Sequence, residues 1–291
     1  MSQPIKSICI LRLSAIGDVC NAVSVVQSIQ RQHPQAQITW IIGKIEARLL
    51  EGLPGVRFVV FDKKLGKAAY SQLKQDLKHD YFDVLLHMQV AFRANVASLC
   101  IKARKKIGFD WHTAKELHAL FMRHRIEPAP RSHVLDGFRQ FAKAIGVSAQ
   151  QLGQTPTWQL PIPDADELWA KQQLAATGNS RTLIISPAAS KAERNWLPER
   201  YAALADYAHT KGFAVILCGG PTELERSLSQ AILASAQHPI TDLTGKTNLK
   251  QLLALLKHAS LVLAPDTGPA HMAVAVGTPV IGLYGHSNPD R

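Results

Sequence analysis

The sequence predicts an α/β protein made of two doubly wound parallel sheets. Three observations carry that reading. Short apolar runs rich in β-branched residues alternate with segments of helical spacing, the pattern of βαβ units. The alternation pauses at "TPTWQLPIPDADE" (155–167) and then restarts. The first strand passes into a helix through "ICILRLSAIGDVCNAVSVV" (8–26), a junction of the kind that borders ligand sites in open α/β sheets.

In the first half, strands are expected at 5–13, 37–43, 57–61, 82–88 and 104–108, with helices at 18–32, 67–79 and 91–101. In the second half, strands are expected at 182–188, 214–220, 240–244, 261–265 and 280–285, with helices at 198–211, 222–236, 248–258 and 268–276. The Pro-rich stretch 156–163 reads as a linker, which places the domains at 1–160 and 161–291. Ligands of such sheets bind beyond the carboxyl ends of the strands. Chemistry is therefore expected on the loops after 5–13, 182–188, 214–220, 261–265 and 280–285.

The 291 residues, 46% hydrophobic and 19% charged, have the composition of a globular α/β protein. Four widely spaced cysteines form no CxxC pair, which fits a reducing compartment and argues against a disulfide framework or a zinc site. Neither a signal-peptide pattern nor an apolar run of about eighteen residues occurs, so a soluble, cytoplasmic chain is expected. Charge is unevenly spread. Residues 1–160 carry 22 Lys+Arg against 11 Asp+Glu, and residues 161–291 carry 11 of each, so the whole net charge of +11 sits in the first half. It is densest in "KARKK" (102–106), "RHR" (123–125) and around Arg131. An anionic partner for that half alone is implied.

"LVLAPDTGPAHMAVAVGTPVIGLYG" (261–285) brings a strand through Asp266-Thr267-Gly268 into a helix carrying His271. Asp266 or Thr267 fits an N-cap. Gly268 also allows close approach of a ligand, and the free amides of a helix start bind phosphate. In "SPAASKAERNWLPERY" (186–201), Lys191 and Arg194 precede a helix opened by Leu197-Pro198. They are solvated loop charges or the counter-charges of a diphosphate. In "LCGGPTELERS" (217–227), Glu223 and Glu225 follow the tight turn Gly219-Gly220-Pro221, and Thr222 would cap the following helix. Either acid would accept from ribose hydroxyls or serve as a first-turn acid.

The first loop holds one glycine, Gly17, and a carboxylate, Asp18, where a phosphate loop would be glycine-rich. Asp18 reads either as a first-turn acid or, with the phosphate site on the other domain, as a general base. With no partner cation expected in its own loop, it would be free to take a hydroxyl proton.

"RLSAIGDV", "NWLPERYAAL" and "APDTGPAHMAVAVGTPVIGLYG" together resemble the bacterial lipopolysaccharide heptosyltransferases of glycosyltransferase family 9, in the right order and across essentially the whole chain. "IGFDWHTAKELHALFMRHRIEP" (107–128) further resembles the members that attach the first heptose to Kdo. The resemblance implies the GT-B fold, two Rossmann-like domains facing across a cleft. It implies inverting, metal-independent transfer of L-glycero-D-manno-heptose from ADP-heptose to Kdo of the inner core. Asp18, the acid of R-x-S-x-x-G-D, would be the catalytic base. Lys191, Arg194, Glu223, Glu225, Asp266, Thr267, Gly268 and His271 would bind the donor, and Ser14, Arg104, Lys105, Arg123 and Arg125 the acceptor. The implied partners are ADP-heptose, Kdo–lipid A and the anionic inner-membrane surface, where the chain would act as a peripheral cytoplasmic monomer.

The Asp-x-Asp of "DAD" (164–166) falls in the expected linker, away from any strand end, in keeping with metal-independent chemistry. The family pattern continues with a further strand and helices beyond "GHSNPDR", so the chain is expected to be truncated at its C-terminal end. Alternatives are addition of a later core heptose or a non-catalytic nucleotide-sugar binder. A dehydrogenase lacks its G-x-G-x-x-G after the first strand. Nucleic acid is not an expected partner, because the basic residues are not interleaved with aromatics.

Overall fold

The computed structural model describes residues 4–114, 118–130, 133–189, 191–285 and 288. They form two compact units that meet in sequence between Gln159 and Leu160.

The first unit contains β1 (Ser7–Leu11), α1 (Ile16–Gln32), β2 (Gln37–Gly43), α2 (Lys44–Leu50), β3 (Val56–Phe61), α3 (Ala68–Asp76), β4 (Phe82–His87) and α4 (Phe92–Leu99). It continues with β5 (Ala103–Gly108), α5 (His118–Phe121), β6 (His124–Arg125), α6 (Val134–Lys143) and α7 (Ala149–Gly153). Its six strands are all parallel, in the order β3-β2-β1-β4-β5-β6. A strand covered on both faces must be apolar throughout, and Ile8–Leu11 of β1 are fully buried. The same logic explains α1, whose residues Val19–Ile29 are all buried and none of them charged. The order of strands reverses between β1 and β4, which leaves a crevice at their carboxyl ends.

The second unit contains α8 (Asp164–Ala175), β7 (Thr182–Ile185), α9 (Pro198–Thr210), β8 (Ala214–Leu217), α10 (Glu223–Ser235), β9 (Thr241–Asp242), α11 (Leu249–His258), β10 (Leu261–Pro265), α12 (Gly268–Ala275) and β11 (Val280–Leu283). These strands are also parallel, ordered β11-β10-β7-β8-β9, with the reversal between β7 and β10. Leu183, Ile185, Leu217 and Leu263 of the sheet pack with Tyr201, Ala202 and Ala205 of α9, whose small residues let the helix lie close.

All the strands and helices expected from the sequence are present, most strands ending a few residues earlier where a loop leaves the ladder. The α2, α5, α6, α7 and α8 helices and the two-residue β6 were not expected. One expectation is corrected: Asp164 and Asp166 are first-turn acids of α8, which starts right after Pro163, and not linker residues. The four cysteines are free, and burial pushes the thiols of Cys20 and Cys218 up to about 12, so neither is a thiolate at neutral pH.

Candidate active site

The loop from β1 to α1 is clamped on both sides. Gly43 N donates to Leu13 O at 2.9 Å, Met88 N to Leu11 O at 3.0 Å, and Leu13 N to Gln89 Oε1 at 2.7 Å. Gly43 has to be glycine, since a Cβ there would stand 2.3 Å from the Leu13 carbonyl. This clamp holds Arg12 and Asp18 at the β1/β4 reversal.

Asp18 occupies the third position of α1 but caps nothing; Ala15 is the N-cap and has no side-chain bond. Instead, Asp18 Oδ2 accepts from Arg12 Nη2. Arg12 Nη1 donates to Met88 O at 2.6 Å, and the guanidinium lies 5.3 Å from the centre of the Phe138 ring. The expectation that Asp18 lacks a cation in its own loop is thus corrected. Strand β1 ends one residue before Arg12, and the turn folds that side chain back over the start of α1. Burial pulls the Arg12 guanidinium's pKa down, against the raising effect of Asp18. Both side chains line a cavity of about 730 Å³, whose walls include Phe109, His112, Thr113, His133 and Phe138.

The cavity floor is set from behind. His118 is fully buried; its Nε2 accepts from Phe109 N at 3.1 Å and its Nδ1 lies 2.8 Å from Asn95 Oδ1. That pattern fixes a neutral ring with the proton on Nδ1. Burial, reinforced by Arg125, pulls His118 down to about 4. Asp110 is held in the ionised form: burial alone would raise it, but bonds from Thr113 and the His112 amide outweigh that.

The acceptor-side residues expected from sequence separate into three places. Ser14, whose Oγ accepts from Gln89 Nε2 at 3.3 Å, lines a second cavity of about 360 Å³ at the carboxyl ends of β1, β2 and β3. Lys44, Arg48, Lys63, Lys64 and Arg93 line it too, a basic cluster the sequence reading missed. Its signal was the loops after β2 and β3, which were given no strand-end role. Arg125 ends β6 and stacks on Trp111 at 3.7 Å, within reach of the first cavity's wall, with exposed Arg123 just before it. Arg104 and Lys105 sit in the amino half of β5, about 13 and 10 Å of strand from its carboxyl end, and Arg104 pairs with Asp83 at 3.6 Å. The structure does not bring these two to Asp18, because they lie toward the amino end of β5, whereas Asp18 stands beyond the carboxyl end of β1. Arg131 lies outside the described residues.

In the second unit, β10 ends at the reversal and leads into α12. Thr267 holds the N-cap position yet does not cap; its hydroxyl donates to Pro265 O at 3.1 Å. Pro269 has no N–H, so Gly268 and Ala270 present the uncapped first-turn amides. His271 Nε2 lies 3.2 Å from Asp266 Oδ1, tying the two beside that opening. The loop after β7 is stapled by Asn195, whose Oδ1 accepts the Ala189 amide at 2.7 Å, and by Trp196, which packs edge-on against Tyr201 at 5.3 Å. Arg194 stands exposed on that loop with no ion-pair partner among the described residues, while Lys191 pairs with Glu193 at 3.7 Å. On the loop after β8, Glu225 is spent on the cap of α10, and Glu223 receives, among the described residues, only the Ser227 hydroxyl at 3.2 Å.

Among the described residues no cluster of three His, Cys, Asp or Glu side chains could hold a metal ion, and no helix is long and apolar enough to cross a membrane.

The family model described as glycosyltransferase family 9 (heptosyltransferase) matches residues 70–291. The lipopolysaccharide core heptosyltransferase OpsX of Haemophilus influenzae is 47% identical over 286 residues, 98% of this chain and 81% of that protein. A lipopolysaccharide heptosyltransferase 3 of Escherichia coli is 25% identical over 92% of this chain and 80% of its own length. Among solved structures, a family 9 glycosyl transferase from Veillonella parvula superposes with a TM-score of 0.84 at 22% identity, covering 98% of this chain and 82% of that one. The E. coli heptosyltransferase WaaC, solved with ADP, gives 0.78 at 21% identity, covering 97% and 88%. The two parallel-sheet α/β domains are those of these proteins, and the expected GT-B class is borne out.

Proposed function

The chain belongs to glycosyltransferase family 9, and from that membership we propose that it transfers L-glycero-D-manno-heptose from ADP-heptose to the Kdo of lipid A, the first heptose of the lipopolysaccharide core. It is a glycosyltransferase, similar over nearly its whole length to a lipopolysaccharide core heptosyltransferase. The observation that carries the reading is the placement of Asp18 with Arg12 on the wall of a roomy, aromatic-floored cavity at the β1/β4 reversal.

In this reading, Asp18 takes the proton of an acceptor hydroxyl. The hydroxyl oxygen forms its bond to the anomeric carbon of the heptose from the face opposite the diphosphate. The bond from that carbon to the diphosphate oxygen breaks, and ADP leaves with the electron pair, so the configuration inverts. Positive character on the sugar carbon and negative charge on the departing phosphate grow together. The negative charge falls to Arg194, Lys191 and the Gly268 and Ala270 amides at the positive end of α12. These groups make a metal ion unnecessary. Glu223, the acid not used in capping, serves the adenosine ribose, and Asp266 with His271 supports the donor loop.

The acceptor supplies the anions that the first half's +11 calls for. Its phosphates suit the basic cavity beside Ser14, and the chain works peripherally at the cytoplasmic face of the inner membrane.

The test offers ADP-heptose with two acceptors: Kdo–lipid A, and the same molecule already carrying its first heptose. Transfer to the first alone is expected. Transfer to the second alone would move the enzyme to a later core position. Transfer to neither, with ADP bound, would overturn the reading.

A further inference from the structure

We propose that Arg12 couples the acceptor's negative charge to the release of Asp18: a carboxylate on the acceptor sugar takes over the guanidinium, and Oδ2 of Asp18 is freed to receive the hydroxyl proton. This rests on the reading of Asp18 as base.

The closed pair poses a problem for a base. The oxygen that accepts from Arg12 is engaged at its best donor, and in a cavity walled by Phe109, Phe138 and Val90 such a contact is stronger than in water. The pair must loosen when the acceptor arrives, and the cavity holds the means.

A guanidinium has five N–H donors. Arg12 uses one on Asp18 and one on Met88 O, and its buried Nε has no partner. Spare donor capacity of this kind is costly to leave unused. Among the described residues lining this cavity, Arg12 is also the one Lys or Arg, and Asp18 and Asp110 supply like charge to any entering anion. Asp110 is already folded onto the His112 and Thr113 amides. Among the described lining residues, the strong partner for an acceptor carboxylate is therefore the group that holds Asp18. The planar fork of Arg suits a carboxylate. The anchor from Nη1 to the Met88 carbonyl, at 2.6 Å, keeps the head in place while it changes partner.

The outcome is a specificity device. An acceptor whose sugar lacks the charge still enters the apolar cavity but leaves the base engaged, so the loss falls on kcat and not on KM alone.

The experiment compares Kdo–lipid A with its analogue in which the Kdo carboxylate is a carboxamide, using the full chain and saturating ADP-heptose. For the parent, kcat on the carboxamide is expected to fall at least about tenfold, the scale of one charged hydrogen bond. In Arg12→Gln, both acceptors should turn over slowly and at rates within about twofold of each other, because the sensing group is gone. Equal kcat for the parent on both acceptors, or a difference confined to KM, would overturn the proposal. So would an Arg12→Gln enzyme that keeps the parent's ratio. If Arg12→Gln does not fold, the parent's ratio alone decides. Asp18→Asn separates the two ideas: full activity there removes the base and this inference with it, whereas an inactive Asp18→Asn beside an indifferent Arg12 removes only the inference.

Discussion

Glu225 turns back onto the loop before its own helix and accepts the Gly220 amide at 2.6 Å. Its other oxygen takes the Thr222 hydroxyl at 2.5 Å, and Thr222 Oγ in turn accepts the Glu225 amide, a reciprocal capping box at the start of α10. Two acids two residues apart thus have different work: one shapes the loop, the other faces outward.

Replacing Glu225 with Ala should lower the stability of the second unit by about 1 kcal/mol, the usual worth of a helix cap. Affinity for ADP should change by less than about threefold. Glu223→Gln should do the opposite, weakening ADP binding by several-fold while leaving stability intact. Urea denaturation and ADP titration on both variants check the division. ADP binding lost in Glu225→Ala but retained in Glu223→Gln would reverse the assignment.

Arg194 and Lys191 should also differ. Arg194 carries no competing ion pair, and a charge-assisted bond to phosphate is worth about 1.5–3 kcal/mol, so Arg194→Ala should weaken ADP at least about tenfold. Lys191 already faces Glu193 across an exposed gap, and Lys191→Ala should cost less. Calorimetric titration of each variant with ADP provides the comparison.

Acid should destabilise the first unit through its buried histidines. His118 is neutral when folded, its value lowered from 6.5 to about 4, and an unfolded imidazole titrates at its ordinary value. Between those two values the unfolded chain binds a proton that the folded ring refuses, so stability falls as pH falls through that window, by about 3 kcal/mol from this residue. His87, buried and lowered well below its ordinary value chiefly by burial, acts with the same sign. Urea midpoints at pH 7.5, 6 and 4.5 should decline steadily, and His118→Gln should flatten part of the slope. An unchanged midpoint across that range would count against the buried neutral pair.

Gly108 gives the cavity floor a steric test. A Cβ there would stand 2.4 Å from Met122 Cγ and 2.5 Å from His118 Nε2. Gly108→Ala should cost about 1–3 kcal/mol as overpacking and raise the acceptor KM through the displaced Phe109, with ADP affinity unaffected. A KM equal to the parent's would show that His118 does not set this wall.

The two sheets were legible because buried parallel strands leave unbroken runs such as Ile8–Leu11 and Leu261–Ala264. The α12 opening was legible for a local reason: Thr267-Gly268-Pro269 can be read as a helix start from composition alone. What escaped is what depends on side-chain direction or distant segments. Arg12 and Asp18 are six residues apart across a turn, and nothing in their spacing says that they face each other. The 730 Å³ cavity joins residues from Arg12 to Phe138, which only the β1/β4 reversal brings together. Arg104 and Lys105 misled because charge density marks a face and not an end of a strand. The α8 helix was hidden by the prolines before it, since Pro163 ends the linker and holds the N-cap position at once.

The most direct test of the central claim is single-turnover heptose transfer by Asp18→Asn, with ADP-heptose and Kdo–lipid A both saturating. Asn keeps the size and loses the proton-accepting charge, so the chemical step should slow at least about 100-fold while ADP affinity stays within about twofold of the parent. Transfer at close to the parent's rate would mean that the proton leaves by another route and that Asp18 only orders the loop.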